Sequence, residues 1–287
     1  MNLTSINRKA AVQCVIVLAA AAALKQYYST ASVNGLRWIL WPTTRLTEML
    51  TGTQFAFESN AGYLSGDRSF LIAGVCSGVN FLIAAFAMLA LRKIWKERCT
   101  GVRWPYLPAA AAAAYLVTIV ANSIRISSAL WMNGMRQKKV FGMDHEAVHR
   151  LDGILIYFGF QLLLYVVMER PGAQKGSRFR RYLFPLFVYY AMTLAVPLLN
   201  GAWRQGMDFW QHAGYVFATP IVLIAAAAIP MELFSRYAER KKIAAVLPAV
   251  PIDHTADQIR TRANVCDAAS LSHRIIWLKG RTVVADR

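Results

Sequence analysis

Long apolar runs separated by short polar or basic segments dominate the chain, and the others are arranged around the run at 70–91. It reads FLIAGVCSGVNFLIAAFAMLAL, 22 residues without a charge. At about 1.5 Å rise per residue, a helix of that length crosses a hydrocarbon core of about 30 Å. Comparable runs predict spans at 10–24, 105–132, 151–168, 183–199 and 213–234. Pro197 interrupts the fifth span, and the sixth carries Pro220 and Pro230. Between the first two, GLRWILWPTTRLTEML places Arg37, Trp38, Trp41 and Arg45 in the pattern of an amphipathic helix lying at the membrane interface. SNAGYLSGD at 59–67 predicts a turn-rich loop. The expectation is an all-α, polytopic integral membrane bundle of six transmembrane helices. The membrane domain covers 1–246, and a polar tail over 247–287, without sustained periodicity, is expected to be cytoplasmic and partly disordered.

Composition agrees. Hydrophobic residues make up 56% of the chain and charged ones 16%, well short of the roughly 25% charge of a soluble domain. The net charge of +17 invites a nucleic-acid reading. The Lys and Arg residues, however, fall in short loops between apolar runs: RKIWKERCTGVR holds five basic residues against one acidic, and ERPGAQKGSRFRR repeats the bias. Such loops face the cytoplasm and anionic lipid, so the charge predicts membrane lipid as a partner and no nucleic acid. Alternation then puts the N-terminus, both basic loops and the tail on one side, although it leaves Arg136, Lys138 and Lys139 outside. Lys25, Gln26 and Tyr27 follow the first run without a small-residue cleavage site, which predicts an uncleaved span. Cys14, Cys76, Cys99 and Cys266 form no CxxC pair, so neither a disulfide framework nor a cysteine zinc site is expected.

Three polar exceptions carry the chemistry. Cys76, followed by Ser77 and Gly78, lies six residues into the second span, roughly 9 Å below its outer end. Arg125 lies toward the outer end of the third span, and His149 opens the fourth. Each has an ordinary structural use: a buried free thiol, an arginine snorkelling to headgroups, a solvated loop histidine. Together they sit near one face. A cysteine attacks as thiolate, nearby cations favour that form, and apolar burial opposes it. Arg125 could stabilise an oxyanion and His149 could protonate a leaving amine. Ser77 and Asn122 are the neighbours expected to support them, while Gly78 and Gly153 allow close helix approach.

CSG at 76–78 inside one span, NSIRI at 122–126 near the end of the next, and HRLDG at 149–153 opening a third resemble the exosortase and archaeosortase family, whose patterns are of the type CSG, NxxR and HxxxG. The resemblance covers roughly 63–157, the expected catalytic core. It implies a multi-pass cysteine protease and transpeptidase of the bacterial inner membrane, with its active site toward the periplasmic face. Its partners would be exported proteins bearing a C-terminal sorting signal such as Pro-Glu-Pro, a transmembrane helix and a basic cluster. Carried over, Cys76 is the nucleophile, Arg125 the transition-state stabiliser and His149 the acid-base. No metal or organic cofactor is implied.

Two rivals stand beside it. His145, Glu146 and His149 also spell HExxH, in which two histidines on one helical face bind zinc and the Glu serves as general base. That reading needs a third ligand. Asp152 is too near for the usual arrangement, His212 would have to be brought in by the fold, and Glu169 falls on the opposite side of the membrane. A transporter or scaffold could use Asn80, Asn122 and Arg125 to line a polar path, but no repeated half or matched pair of broken helices is visible. A rhomboid-type serine protease lacks its GxSG context at Ser77.

Overall fold

The computed structural model describes residues 7–134, 145–169, 178–199 and 201–246. The segments 135–144 and 170–177, the side chains of His145 and Glu146, and the tail expected at 247–287 lie outside the described residues. The chain divides into two units, Met1–Glu232 and Leu233–Arg287. Of the second, the described part is the helical stretch 233–246.

The described residues hold eight α-helices: α1 (Arg8–Thr30), α2 (Arg37–Thr51), α3 (Val79–Lys96), α4 (Tyr106–Gly134), α5 (His145–Met168), α6 (Arg178–Tyr190), the short α7 (Val196–Leu199) and α8 (Met207–Val246), of which the part to Glu232 belongs to the first unit. Between α2 and α3 lie three short strands, β1 (Phe55–Glu58), β2 (Gly62–Ser65) and β3 (Leu71–Ile72), in an antiparallel sheet of order β1-β2-β3. The fold is therefore the expected all-α polytopic bundle with one small sheet attached.

Five stretches among the described residues are long and apolar enough to cross a membrane: Arg8–Thr30, Gly74–Lys96, Tyr106–Asn133, Ala147–Met168 and Phe209–Ala226. The expected fifth of six spans is instead the shorter apolar segment Tyr182–Leu198, about 26 Å long at helical rise. A π-helical turn, Ala191–Ala195, widens it. Proline in a helix removes an N–H and collides with the carbonyl four residues back. The wider turn ahead of Pro197, closed by the Val196 N–H on the Ala191 carbonyl, relieves that collision.

The second span also differs from expectation. Residues 70–78 are not its first turns: Leu64 pairs with Leu71 and Tyr63 with Ile72, the Ser65 N–H donates to the Phe70 carbonyl, and Gly74–Ser77 forms a 3-10 turn. Gly78 then takes a left-handed conformation, φ 73°, and α3 begins after it. Ile72 is fully buried. Strand residues buried against protein and helix residues facing lipid look alike in a hydropathy window, and the sheet claims the former. The stretch 59–67, expected as a loop, contains β2. Gly62, at φ 135°, lies so close to β3 that a Cβ would stand 2.3 Å from the Ile72 carbonyl oxygen.

α3 is the centre of the bundle. Its membrane-length window is 61% buried, against 17% for α1, and it packs on α1, α4, α5 and α6. Between helices in lipid the attraction comes from close packing and hydrogen bonds rather than from exclusion of water. Gln13 of α1 supplies such bonds, donating to the Val102 carbonyl at 2.7 Å and accepting from the Val102 N–H at 2.9 Å. The amphipathic helix expected around Trp38 is α2, which rests on α4. Pro42 leaves the carbonyl of Trp38 without its helical donor, and the Tyr115 hydroxyl of α4 donates to it at 2.6 Å. The Ser123 hydroxyl donates to the Thr43 carbonyl beside it.

At the α3 C-terminal end, Glu169 just beyond α5 is buried and pairs with Arg92 and Lys96, each at 2.8 Å. The Arg92 guanidinium lies against the rings of both Tyr165 and Phe184, tying α3, α5 and α6 together. Burial alone raises the Glu169 carboxyl, but the hydrogen bonds and charges of Lys96 and Arg92 outweigh it and hold the group below its ordinary value. A carboxyl whose folded pKa is lowered contributes stability that is complete above its unfolded value, about 4.3, and is lost as pH falls through the folded value. Glu169→Ala leaves two cations unpaired and is expected to destabilise the bundle by about 3 kcal/mol at neutral pH. Thermal unfolding in detergent at pH 7 and below pH 4 checks this, with the difference between variant and parent shrinking at the lower pH.

Candidate active site

The turn bearing Cys76 is fixed from two sides. Within its own turn, the Cys76 N–H donates to the Ala73 carbonyl at 2.9 Å, closing the 3-10 turn. Across the bundle, the Asn122 side-chain amide of α4 donates to the Cys76 carbonyl at 2.6 Å, and the Tyr157 hydroxyl of α5 donates to the Asn122 carbonyl oxygen at 2.7 Å. Asn122 is fully buried. A Cβ on Gly78 would stand 3.1 Å from the Asn122 side chain. Glycine therefore serves twice here, for its left-handed backbone and for the close approach of α4.

Tyr157 also positions the cation. Its ring stacks on Phe81 with centroids 4.9 Å apart, and the Arg125 guanidinium lies 5.5 Å from the ring centroid. An aromatic face partly replaces water around a cation. Gly153, one turn before Tyr157, clears the path: a Cβ there would stand 3.0 Å from Arg125 Nε. That Nε is buried and has no acceptor among the described residues. The pair expected to permit close helix approach, Gly78 and Gly153, thus lies against the two side chains, Asn122 and Arg125, that border Cys76.

Cys76, Arg125 and His149 line one pocket of about 130 Å³ together with Phe70, Ile126, Ala129 and Asn133. They come from three separate elements: the turn before α3, the second half of α4 and the start of α5. The depth expected for Cys76 is corrected, since it sits in the turn that precedes α3 rather than partway down a helix. It is partly exposed. On the far side of Arg125 and His149 lies a second, larger cavity of about 240 Å³, between α3, α5, α8 and the π-helical turn.

Ser77 is fully buried, and its hydroxyl has no hydrogen-bond partner among the described residues. Asn122, its companion in the expectation, instead holds the Cys76 backbone. Tyr157 and Asp152 were not singled out as members of a thiol site. Asp152, three residues after His149, has Ser128, His149 and Arg125 as polar neighbours, and its Oδ2 is buried without a hydrogen bond among the described residues. The i, i+3 spacing of HRLDG was the available signal for Asp152. Tyr157 left none, because an aromatic at helical spacing reads as core.

Among the described residues, no three His, Cys, Asp or Glu side chains are grouped to hold a metal. The HExxH segment is helical from His145, and of its members His149 is the one the structure describes at the site. Glu169, weighed as a third ligand, is engaged by Arg92 and Lys96.

If the Gly78–Asn122 contact sets the turn, Gly78→Ala distorts it, with strain of about 1–2 kcal/mol from the left-handed backbone. In a chain whose other thiols are serine, the rate of Cys76 alkylation by a maleimide is expected to change severalfold. Gly52→Ala is the control. It has the same conformation, φ 72°, with no atom near its Cβ, and should leave the Cys76 rate unchanged.

No protein-family model, curated protein or solved structure matches this chain.

Proposed function

We propose that this protein is a membrane-embedded cysteine peptidase and transpeptidase that cleaves exported proteins at a C-terminal sorting signal. The observation that carries the reading is the single pocket lined by Cys76, Arg125 and His149. Three residues separated by tens of positions in sequence, in the order of the exosortase-like motifs, line one cavity of about 130 Å³.

The reaction follows from their chemistry. The Cys76 thiolate attacks the scissile carbonyl carbon, and a C–S bond forms. Negative charge develops on the carbonyl oxygen, where the Arg125 guanidinium lies ready to bind it. The C–N bond then breaks, and His149 gives its proton to the departing amine. A thioester remains on Cys76. An incoming amine or water attacks it, loses a proton to His149, and expels the thiolate, so the enzyme is restored. Asn122 and Tyr157 are positioning residues, the first holding the Cys76 backbone and the second the Arg125 guanidinium. Every group these steps require is on this chain.

The topogenic charge pattern supports a site on the outer face of a bacterial inner membrane, because the basic segment of α3 from Arg92 to Lys96 is at the helix end remote from Cys76. Substrates ending in a transmembrane helix would present their cleavage point at that face.

Co-expression with a tagged exported protein ending in a sorting motif, a transmembrane helix and a basic cluster tests the reading. Processing is expected with the wild-type chain and to fall by about 10³-fold or more in Cys76→Ala and His149→Ala, as for loss of a nucleophile or its acid-base. His145→Ala should retain it. Cleavage that survives Cys76→Ala but fails in both histidine variants and in chelator would establish the zinc reading instead. Processing unaffected by all three variants would leave a transport or scaffold role.

A further inference from the structure

We propose that the larger cavity binds a phosphate-bearing group, and that it does so as a site distinct from the thiol pocket. Its cationic lining decides the class of ligand. Arg125 and Arg150 border it beside the imidazoles of His149 and His212, Thr193 and Asn80 add polar groups, and none of the described residues that line it is acidic. A third cationic side chain, after Arg125 and Arg150, stands at its edge, since Lys25 Nζ donates to Asn80 Oδ1 at 2.7 Å.

Two further observations point to an occupant. A buried donor without an acceptor is costly at membrane depth, and Arg125 directs a buried Nε, without an acceptor among the described residues, beside this space. The π-helical turn also has a local consequence. It presents Thr193 at the cavity, and turns of this kind interrupt helices most often at functional sites. Arginines in fixed forks match phosphate oxygens with paired hydrogen bonds. The donors here come from α3, α4, α5, α8 and the π-helical turn, more directions than the two oxygens of a carboxylate can satisfy. The remaining walls, including Phe81, Ile154 and Val216, are apolar, which suits the glycerol and first methylenes of a phospholipid. A lipid headgroup and free phosphate share the anion chemistry and differ in the use of those walls.

The site shares Arg125 and His149 with the thiol pocket, but its occupancy does not depend on thiol chemistry. The test therefore uses the full chain carrying Cys76→Ala, so that failure of the peptidase reading leaves it intact. Binding is measured in neutral detergent by calorimetry with dihexanoyl phosphatidic acid, dihexanoylglycerol and inorganic phosphate. Phosphatidic acid is expected to bind and dihexanoylglycerol not. Arg150→Ala and His212→Ala should each weaken binding by about tenfold, the loss of one charge-assisted hydrogen bond. Arg150→Lys, which keeps the charge, should bind more tightly than Arg150→Ala and shows that the fold survives. Inorganic phosphate binding as tightly as the lipid would uphold the anion site and assign it a soluble ligand. Equal binding of phosphatidic acid and dihexanoylglycerol, or full affinity in both alanine variants, overturns the proposal.

Discussion

The arrangement depends most on how a guanidinium is accommodated inside a bundle of apolar helices. Arg125 lies on α4 among residues that face protein or lipid, where an unpaired charge costs several kcal/mol. The structure offsets that cost with the face of Tyr157, with the space left by Gly153, and with cavities on two sides. Because Tyr157 is itself held by Asn122, and Asn122 by the Cys76 carbonyl, the solution for the cation also fixes the thiol. One chain of contacts therefore joins the turn before α3 to α4 and α5.

The opposite end of α3 uses similar parts for another purpose. Arg92 likewise lies against aromatic rings, those of Tyr165 and Phe184, but a carboxylate closes its fork. Glu169 neutralises Arg92 and Lys96, and the result is a structural tie between helices. At Arg125 no carboxylate lies within salt-bridge distance among the described residues. The contrast on neighbouring helices between an arginine closed by a carboxylate and one whose Nε has no acceptor among the described residues separates scaffold from site more clearly than either residue does alone. An arginine meant only to hold helices together is better served by the first arrangement.

Rigidity around Cys76 comes from backbone, not from a long helix. The three-stranded sheet, the 3-10 turn and the left-handed Gly78 place the thiol just ahead of α3, where it is partly exposed. Pro42 and Pro197 show how the same bundle absorbs irregular backbone. One frees a carbonyl that Tyr115 takes up, and the other is accommodated by a widened turn that brings Thr193 to a cavity.

By itself the sequence determined the membrane class, the helical bundle and the helices that carry Arg125 and His149, since apolar length and period are local properties that lipid enforces on every span. It also identified Gly78 and Gly153 as places where helices approach. The tertiary structure alone decided that 70–78 belongs to a sheet and turn, that the fifth apolar segment is short and π-widened, and that Tyr157 and Asp152 belong beside the three motif residues. The reason is the same in each case. Hydropathy cannot distinguish burial against protein from burial in lipid, and a tyrosine acquires a polar role only when the fold brings a buried amide within reach of its hydroxyl. Motif spacing could nominate three side chains, but only the packing of α4 and α5 against the turn before α3 could place them in one pocket.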